Sequence, residues 1–448
     1  MNPLTKKIFI VFCIAFAVRI VFMFGFKNEQ SLLYRDSFTY LQVVQNLLNH
    51  HTYSMGYDVP PSPDNFRAPL YPFFLLPFII GGFSLYSIAI VQNILMSCAA
   101  VLVFLIGRKI FEEWQAFTAA LLFGLEPFGA LISNQLVAES LFSVFFVVSL
   151  FGFALYIKNK ESQYLYIASL MLALSALTRG FASMLVVLIP IAVFLAEARP
   201  LPWKKIVIAL GIFGIVFAPW VVRNIVVLGT QESSQVGFNL YTYNANSFEV
   251  WLSKYFPDAS PQPLKKIDAS AVNVRYNTTG VPELKKAATD FILQNPGKYA
   301  FFHMLHTPLL FTNSAFNNML YAIPSLGFVY EDEAALYEHI GNFEIGAVMR
   351  DIVSHPVLLL VIAANLFFIL VAMLALINPY IHKKMGTLVT KPSLFFVISI
   401  VLVAILTSPI NGARMRIPLN PILFLLAINS LYIILKKKIC PVATTAIE

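Results

Sequence analysis

Two acids and several arginines occur within or next to the apolar runs of the chain. Asp36 follows the first long apolar run, Glu139 lies near the start of another, and Arg179 falls between two short ones. A carboxylate can accept the proton of an attacking hydroxyl group. Guanidinium groups bind phosphate through forked hydrogen bonds and stabilise it as it leaves. At a membrane surface, such a set suits displacement of a lipid-linked phosphate by an acceptor hydroxyl.

The elements that must position these residues are membrane-spanning helices. The chain is 58% hydrophobic and only 12% charged, whereas soluble domains carry about 25% charged residues. We therefore predict an all-α polytopic membrane protein, and we expect the first span to be retained because no small-residue cleavage site follows it. The spans are predicted near residues 8–26, 86–106, 115–133, 136–157, 163–179, 181–197, 204–222, 356–378, 393–411 and 419–436.

Lysine and arginine in the short connections between these spans predict the orientation. Basic residues gather before the first span, in alternate connections and in the KKK run at 436–438. We therefore expect a multi-pass protein of the cell (inner or plasma) membrane with both termini in the cytoplasm. This topology explains the net charge of +8 without a nucleic-acid partner. The candidates that it places on the external face are Asp36, Glu139, Arg179, Arg223, Arg414 and Arg416.

Two apolar stretches are not counted among the predicted spans, which divide the chain into three parts. Residues 68–83 are apolar but broken by proline and glycine, so we predict an interfacial or re-entrant segment. Residues 299–313 are predicted to form an amphipathic helix on the membrane surface. The parts are an N-terminal transmembrane module (1–222) with a candidate catalytic first external loop (27–67), an external, periplasmic domain (223–355) and a C-terminal transmembrane module (356–448).

Structural roles are an alternative for several of these residues. Asp36 precedes a predicted interfacial helix and is a preferred N-cap residue. Arg19, within the first span, is expected to form an ion pair with Glu126. Arg414 and Arg416 lie between the last two spans, where contact with lipid headgroups explains them as well as a substrate role does.

A series of short motifs gives the chain a resemblance to a known family. In chain order they are the Arg19 position, RDSFTYLQVVQNLL (35–48), FRAPLYP (66–72), VAES (137–140), ALTR (176–179), APWVVRN (218–224), SQVGFNLYTYNAN (234–246), NPGKYAFF (295–302) and GARMRIPLNP (412–421). In order and spacing they resemble the GT-C superfamily of polyprenyl-phosphate-sugar glycosyltransferases. The most similar branch holds the bacterial protein O-mannosyltransferase-like and aminoarabinose-transferase-like enzymes.

The resemblance implies a GT-C fold of about 10–12 transmembrane helices with a mid-chain external domain, and a transfer that inverts the sugar. Asp36 would be the general base, Arg67 would bind the donor phosphate, and Glu139 would orient the acceptor or a water network. Supporting phosphate-binding or structural roles would fall to Arg179, Arg223, Arg414 and Arg416. Weaker substrate-binding candidates are Tyr71, Asn224 and Tyr241.

The implied donor is a polyprenyl-phosphate-linked sugar, and the other partners are membrane lipid and an acceptor. The acceptor would be lipid A, a glycan, a teichoic polymer or a protein. Some family members bind a divalent metal, but Phe66 stands where those carry an acid, and Ser37 rather than a second acid follows Asp36. His303 and His306 lack an identified third ligand. We therefore expect no cofactor, with a divalent metal as the less favoured alternative.

Two other functions stay open from the sequence. A lipid-linked glycan ligase or polymerase also uses external arginines, but its chemistry would centre on a long late loop. A transporter or flippase of lipid-linked anions would carry inverted repeats with matching broken helices, and we find no such symmetry in the sequence. Loss of transfer without loss of donor binding on replacing Asp36 separates an enzyme from a transporter.

Overall fold

The computed structural model describes residues 2–257, 263–267, 281–312, 344–354, 358–385, 390–409 and 412–439. Every regular element in these ranges is helical. An apolar chain in lipid must satisfy its backbone hydrogen bonds within each segment, which helices do. The predicted all-α polytopic fold is confirmed. Much of the predicted external domain, including residues 268–280 and 313–343, lies outside the described residues.

The helices divide into long apolar ones, short apolar ones and short connecting ones. In chain order they are α1 (Pro3–Phe24), α2 (Arg35–His50), α3 (Leu70–Ile80), α4 (Leu85–Gly107), α5 (Glu113–Leu125), α6 (Pro127–Asn134), α7 (Glu139–Asn159), α8 (Ser162–Thr178), α9 (Leu188–Ala196), α10 (Trp203–Leu228), α11 (Ser234–Asn239), α12 (Asn246–Tyr255), α13 (Val281–Gln294), α14 (Pro296–His306), α15 (Leu309–Thr312), α16 (Ile345–Ser354), α17 (Leu358–Leu376), α18 (Asn378–Lys384), α19 (Lys391–Thr407), α20 (Ala413–Arg416) and α21 (Asn420–Ile439). Shorter connecting elements are 3₁₀-helices at Glu29–Leu32, Gly180–Val187 and Ile417–Leu419, and a π-helix at Leu240–Ala245.

Each of the ten predicted spans coincides with a helical segment. Among the described residues, six segments are long and apolar enough to cross a membrane, and the bent pair α5–α6 makes a seventh. The other three predicted spans correspond to the shorter apolar segments α8, Gly180–Ala196 and α19. A fourth short apolar helix, α3, forms in the region predicted to be interfacial or re-entrant.

The bend between α5 and α6 has a local cause. The two helices meet at 51°. Pro127 occupies the first position of α6, where its missing N–H is no loss. The Glu126 carboxylate accepts hydrogen bonds from the backbone N–H groups of Phe128 (3.1 Å) and Gly129 (2.6 Å). Glu126 therefore caps a new helix instead of extending the old one.

Small residues allow the long helices to pack closely. A Cβ atom on Gly124 of α5 would lie 2.9 Å from the Cβ of Ala15 in α1, and one on Gly152 of α7 would lie 3.0 Å from the Cβ of Ala168 in α8. The Ser149 hydroxyl also donates to the Ala168 carbonyl at 2.9 Å. In lipid, such small-residue contacts and interhelical hydrogen bonds replace the hydrophobic effect as the source of association. α7 lies at the centre of the bundle, and most of its residues are buried.

Basic residues at the starts and ends of several long helices meet at one end of the bundle. Lys7 of α1 pairs with Glu113 of α5 at 2.5 Å, and Lys158 at the end of α7 donates to the carbonyl of Lys109 after α4. Lys205 of α10 pairs with Glu197 at 2.7 Å. These are connections predicted to face the cytoplasm, and their orientation relative to the membrane stays a prediction.

A second, smaller core lies beside the bundle. Phe248 of α12 packs against Phe291, Tyr299 and Phe302 with ring centroids 5.3–5.8 Å apart. The same cluster of buried residues includes Met55 and Phe66 from the loop between α2 and α3. The described part of the predicted external domain therefore has a core of its own, and that core also holds the loop that leads to α3.

Candidate active site

Asp36 lies in the first turn of α2. The helix begins at Arg35, and the Ser37 hydroxyl oxygen accepts the backbone N–H of Tyr34 at 2.8 Å, so Tyr34 holds the N-cap position. The alternative in which Asp36 is the N-cap residue is therefore wrong. The Asp36 carboxylate instead accepts hydrogen bonds from side chains in distant parts of the chain.

Both carboxylate oxygens of Asp36 accept hydrogen bonds from arginines. Arg67, just before α3, donates from Nη2 to Oδ1 at 2.8 Å, and Arg414 of α20 donates from Nη2 to Oδ2 at 2.9 Å. Thr39, one turn along α2, accepts a hydrogen bond from Arg67 Nε at 2.9 Å and donates one to the Asp36 carbonyl at 2.7 Å. The Arg67 guanidinium also lies 4.8 Å from the ring centroid of Tyr40. One face of α2 thus fixes the position of Arg67.

Glu139 forms the floor of the same cluster. It begins α7, is 1% exposed, and its Oε1 accepts hydrogen bonds from Arg179 Nη1 at 2.6 Å and Arg414 Nε at 2.5 Å. Arg414 therefore bridges Asp36 and Glu139. Two carboxylates meet three guanidinium groups, which leaves a net charge of 3 − 2 = +1 in the cluster. An anionic group would neutralise that excess.

The electrostatics keep Asp36 ionised in the absence of substrate. Burial acts to raise the pKa of the Asp36 carboxyl, but the charges and hydrogen bonds of Arg67 and Arg414 outweigh it and hold the pKa well below its usual range. A carboxylate with a low pKa is a weak base. Asp36 can therefore take a proton efficiently only when these arginines turn to another anion.

The cluster opens into a cavity of about 560 Å³. This volume is within the range typical of small-molecule sites. The described residues that line it come from the start of α2, the loop before α3, the end of α8 and the 3₁₀-helix after it, α11 and the π-helix, α19 and α20. They are Tyr34, Asp36, Thr39, Tyr40, Met55, Phe66, Arg67, Ala68, Thr178, Arg179, Gly180, Phe181, Gln235, Phe238, Asn239, Tyr243, Leu406, Thr407, Arg414 and Met415.

The structure brings five of the predicted site residues together: Asp36, Arg67 and Arg414, with Glu139 and Arg179 beneath and beside them. Five others lie elsewhere. Their proposed roles in binding substrate stay predictions.

Arg223 and Asn224 join α10 to the loop between α2 and α3. Arg223 Nη1 donates to the Asp64 carbonyl at 2.7 Å and to Asn224 Oδ1 at 3.1 Å, and its guanidinium lies 5.4 Å from the ring centroid of Tyr53. Asn224 is buried. Neither residue is among those that line the cavity in the described chain. Both therefore support the loop that carries Arg67.

Tyr71 and Tyr241 are also engaged inside the protein. The buried Tyr71 hydroxyl donates to Gln92 Oε1 at 2.8 Å. The Tyr241 hydroxyl donates to the Lys265 carbonyl and accepts the Ile267 N–H, both at 3.0 Å. Tyr241 holds the segment 263–267 against the second core.

Arg416 and Arg19 form a separate buried group. Arg416 Nη1 donates to the Leu310 carbonyl at 3.2 Å, and its guanidinium lies 3.7 Å from the ring centroid of Phe368. Arg19 Nη1 donates to the carbonyls of Ala15 (2.8 Å) and Gly124 (3.0 Å). The expected direct ion pair between Arg19 and Glu126 is not found among the described residues.

Sequence analysis missed several of the residues that line the cavity. Thr39 and Tyr40 follow Asp36 at three and four residues, which places them on the same helical face, so that spacing could have identified them. Gln235 and Asn239 lie in segment 234–246, for which the sequence offers only the family resemblance as a signal. Among its tyrosines, Tyr243 reaches the cavity.

The two histidines considered for metal binding have protein partners. His303 Nε2 lies 2.9 Å from the Ile405 carbonyl, and His306 Nδ1 lies 2.7 Å from the Phe302 carbonyl. Within the described ranges, no three His, Cys, Asp or Glu side chains are placed to hold a metal ion. Metal independence stays a prediction.

Comparison with known proteins bears on the class of protein. Residues 67–222 match the family described as dolichyl-phosphate-mannose-protein mannosyltransferase. The whole chain is similar in structure to the archaeal oligosaccharyltransferase AglB from Archaeoglobus fulgidus, solved with an inhibitory peptide and a dolichol-phosphate (TM-score 0.51, 14% identity, 100% of this chain and 52% of that chain). An Archaeoglobus fulgidus oligosaccharyltransferase in the apo form is also similar (TM-score 0.50, 14% identity, 100% of this chain and 53% of that chain). No curated protein matches the chain.

The chain spans about half the length of these solved structures. The likeness establishes the GT-C fold that the sequence motifs implied. The family match is confined to residues 67–222, and the apolar helices indicate a multi-pass membrane protein.

Proposed function

We propose that this protein transfers a sugar from a polyprenyl-phosphate-linked donor to an acceptor hydroxyl group, with inversion at the anomeric carbon. Asp36 is the general base, and Arg67, Arg179 and Arg414 bind the donor phosphate. The observation that carries the proposal is a single carboxylate held between two arginines at the wall of a cavity. The reaction takes place on the external face of the cell membrane, with both termini in the cytoplasm.

The chemical step needs one proton acceptor and one anion-binding group. The acceptor oxygen attacks the anomeric carbon and forms a new C–O bond while its proton passes to the Asp36 carboxylate. The bond between the anomeric carbon and the phosphate oxygen breaks, and its electron pair stays on the polyprenyl phosphate. The leaving phosphate gains one negative charge, which the guanidinium groups stabilise as it develops.

Donor binding would activate the base. The donor phosphate carries one negative charge and competes with Asp36 for Arg67 and Arg414, so it matches the excess charge of +1 in the cluster. As these arginines turn to the phosphate, the burial of Asp36 is no longer offset and the pKa of its carboxyl rises. A carboxylate with a higher pKa is a better proton acceptor at neutral pH. Chemistry is thereby coupled to occupancy of the donor site.

Glu139 positions two of the three arginines in this scheme. One of its carboxylate oxygens, Oε1, accepts hydrogen bonds from both Arg179 and Arg414 on the buried side of the cluster. Held in this way, both guanidinium groups meet the phosphate without first losing side-chain freedom. We assign Glu139 a positioning role on this basis.

Comparison supports the nature of the lipid, and chemistry requires only that the acceptor carry a hydroxyl group. The family that matches residues 67–222 is named for a dolichyl-phosphate-mannose donor, and the similar oligosaccharyltransferase was solved with a dolichol-phosphate. Both support a polyprenyl phosphate as the lipid part of the donor. Lipid A, a glycan, a teichoic polymer and a protein each offer the acceptor hydroxyl that the mechanism requires.

Replacing Asp36 by Asn tests the proposal. Full-length protein in lipid vesicles is given synthetic radiolabelled undecaprenyl-phosphate sugars with membranes of the source cells as acceptor, and transfer is measured separately from donor binding. Transfer should fall about 100-fold to 10,000-fold, while donor affinity stays the same or increases because Arg67 and Arg414 are freed.

Asp58→Asn is the matched control, since Asp58 is an exposed acid in the loop that follows α2. It should behave as wild type. Equal transfer by Asp36→Asn and Asp58→Asn would refute the base. Movement of the labelled lipid across the vesicle with no transfer by wild type would indicate a flippase instead.

A further inference from the structure

One wall of the cavity carries uncharged polar side chains. Gln235, Asn239 and Tyr243 all line it, and we refer to these three as the polar face. They belong to a continuous helical stretch formed by α11, the π-helix and α12. Within the described chain, the structure records no hydrogen bond for the Gln235 or Asn239 side-chain amides or for the Tyr243 hydroxyl. Their hydrogen-bonding capacity is therefore available to a ligand.

The π-helix explains how all three reach the same cavity. In an α-helix of 3.6 residues per turn, a step of four residues overshoots a full turn by about 40°. That step separates Gln235 from Asn239. Over Leu240–Ala245 the helix widens to a π-helix, in which about 4.4 residues make a turn and a four-residue step falls short by about 30°. The second step brings Tyr243 back towards the direction of Gln235.

We propose that the polar face binds the hydroxyl groups of an uncharged sugar and so determines which glycosyl group is transferred. This inference rests on the proposed glycosyltransferase function. It assigns recognition of the sugar to residues on α11 and the π-helix, and the phosphate-binding role of the arginines is unchanged.

The chemistry of the polar face fits hydroxyl groups better than charged groups. A side-chain amide offers both donors and an acceptor, and a sugar hydroxyl group also donates and accepts. A cationic amino sugar would call for a free carboxylate. Among the described residues that line the cavity, Asp36 is the only acid, and in the proposed reaction its carboxylate takes the proton of the acceptor hydroxyl group instead of pairing with a sugar. An anionic sugar would compete with the donor phosphate for the same arginines.

The polar face is also held close to the phosphate-binding residues. Phe238, between Gln235 and Asn239, packs against Phe66 with ring centroids 5.6 Å apart. Phe66 directly precedes Arg67 in the chain. A sugar attached to a phosphate at Arg67 therefore lies beside α11, and Tyr243, which is 39% exposed, offers a ring surface for stacking.

The test compares the affinity of full-length protein in vesicles for two lipids: undecaprenyl phosphate alone and undecaprenyl-phosphate-mannose. Wild type should bind the sugar-bearing lipid more tightly. Gln235→Leu and Asn239→Leu should each lower the affinity for undecaprenyl-phosphate-mannose about fivefold to tenfold. Their affinity for undecaprenyl phosphate alone should not change. Tyr243→Phe separates a hydroxyl contact from stacking, which Tyr243→Ala removes as well.

Asn246→Leu is the matched control, because Asn246 is an exposed amide on the following helix and is not among the residues that line the cavity. It should bind both lipids like wild type. A donor carrying 4-amino-4-deoxyarabinose, which is cationic, should bind less tightly than the mannose donor. Tighter binding of the cationic donor, or unchanged mannose affinity in both Leu variants, would overturn the inference. Failure of wild type to bind undecaprenyl phosphate at all would instead refute the proposed function.

Discussion

Two groups of arginines and acids in this protein contain the same residue types but differ in their surroundings. The cavity cluster consists of Asp36, Arg67, Glu139, Arg179 and Arg414. The buried cluster consists of Arg19, Glu126 and Arg416, which lie close enough for their charges to interact. Arg414 and Arg416 are two residues apart in the same short helix, α20, and belong to different clusters.

The partners of the guanidinium groups separate the two clusters. In the cavity cluster, arginines donate to carboxylates, and three of them line an open cavity. In the buried cluster, Arg19 donates to carbonyls of α1 and α5, and Arg416 donates to the Leu310 carbonyl and stacks on Phe368. Arg19 and Arg416 are 0% and 1% exposed. Backbone carbonyls and a buried ring cannot be exchanged for a ligand without unfolding.

The difference shows which charged side chains in a membrane protein can bind a ligand. A charge held by another side chain beside a cavity can change its partner when an anion arrives. A charge held by backbone carbonyls fixes helices to each other, as Arg416 does for α15, α17 and α20. Ionisable residues inside membranes are expected to be functional by default, and we infer that the function of the buried cluster is structural.

The largest expected contrast is between Arg414→Gln and Arg416→Gln. Arg414→Gln removes a guanidinium that would stabilise the leaving phosphate, so kcat should fall about a hundredfold or more. Arg416→Gln removes buried contacts and leaves Glu126 less compensated, so the melting temperature should fall by about 5 °C or more. Its kcat per folded molecule should stay close to that of wild type. Thermal unfolding in detergent and transfer normalised to folded protein measure both effects.

Two outcomes would break the comparison between these arginines. One is loss of turnover in correctly folded Arg416→Gln. The other is full turnover in Arg414→Gln. Arg414→Lys and Arg416→Lys are useful companions, since each keeps the charge but loses the forked geometry. We expect Lys to restore little activity at position 414.

The two buried glutamates provide a second, smaller contrast. Glu139→Gln leaves Arg179 and Arg414 without their anchoring carboxylate, so kcat should fall about tenfold, within the range that a misplacement of about 1 Å can cause. Affinity for undecaprenyl phosphate should change less than kcat, because loss of the competing anion offsets loss of positioning. Glu126→Gln should leave kcat and lipid affinity unchanged but lower stability, because Glu126 caps α6. Wild-type kcat in correctly folded Glu139→Gln would contradict the positioning role.

The sequence predicted the architecture well because apolar length and helix breakers act locally. Each of the ten predicted spans coincides with a helical segment, and Pro127 marks the bend between α5 and α6. The sequence also suggested that Asp36, Glu139 and Arg179 lie on the same side of the membrane. The predicted topology requires this, because Asp36 follows the first span, Glu139 begins a span that runs inward, and Arg179 ends the next span, which runs outward.

The sequence could not separate residues that share a membrane face but lie at different depths and rotations. Arg223 belongs to the same predicted face as Arg179, but its side chain turns towards Asp64 and Tyr53. Arg414 and Arg416 differ by two positions, or about 200° around a helix, and pattern analysis assigned them a common role. The polar face was hidden for another reason: the π-helix changes which residues share a direction, and its position cannot be read from hydrophobic periodicity.

The pH dependence of turnover gives the smallest expected effect and tests whether donor binding activates Asp36. In the donor-free protein, Arg67 and Arg414 hold the pKa of the Asp36 carboxyl well below its usual range. Since kcat/KM reports the free enzyme, it should show no loss assignable to Asp36 between pH 7 and about pH 5. The value of kcat reports the donor-bound complex, in which the phosphate occupies these arginines and the pKa is higher. It should therefore fall severalfold over the same range.

The sign of the stability effect gives an independent check. The folded-state pKa of Asp36 lies below its unfolded value of about 4, so its stabilising contribution is complete above that value and is lost only as pH falls through the folded pKa. The melting temperature of donor-free protein should thus show no loss assignable to Asp36 between pH 7 and about pH 5, while kcat declines. If kcat instead stays as flat as kcat/KM over this range, the arginines do not leave Asp36 when the donor binds. The cavity cluster would then be as fixed as the buried one, and the distinction between them would rest on exposure alone.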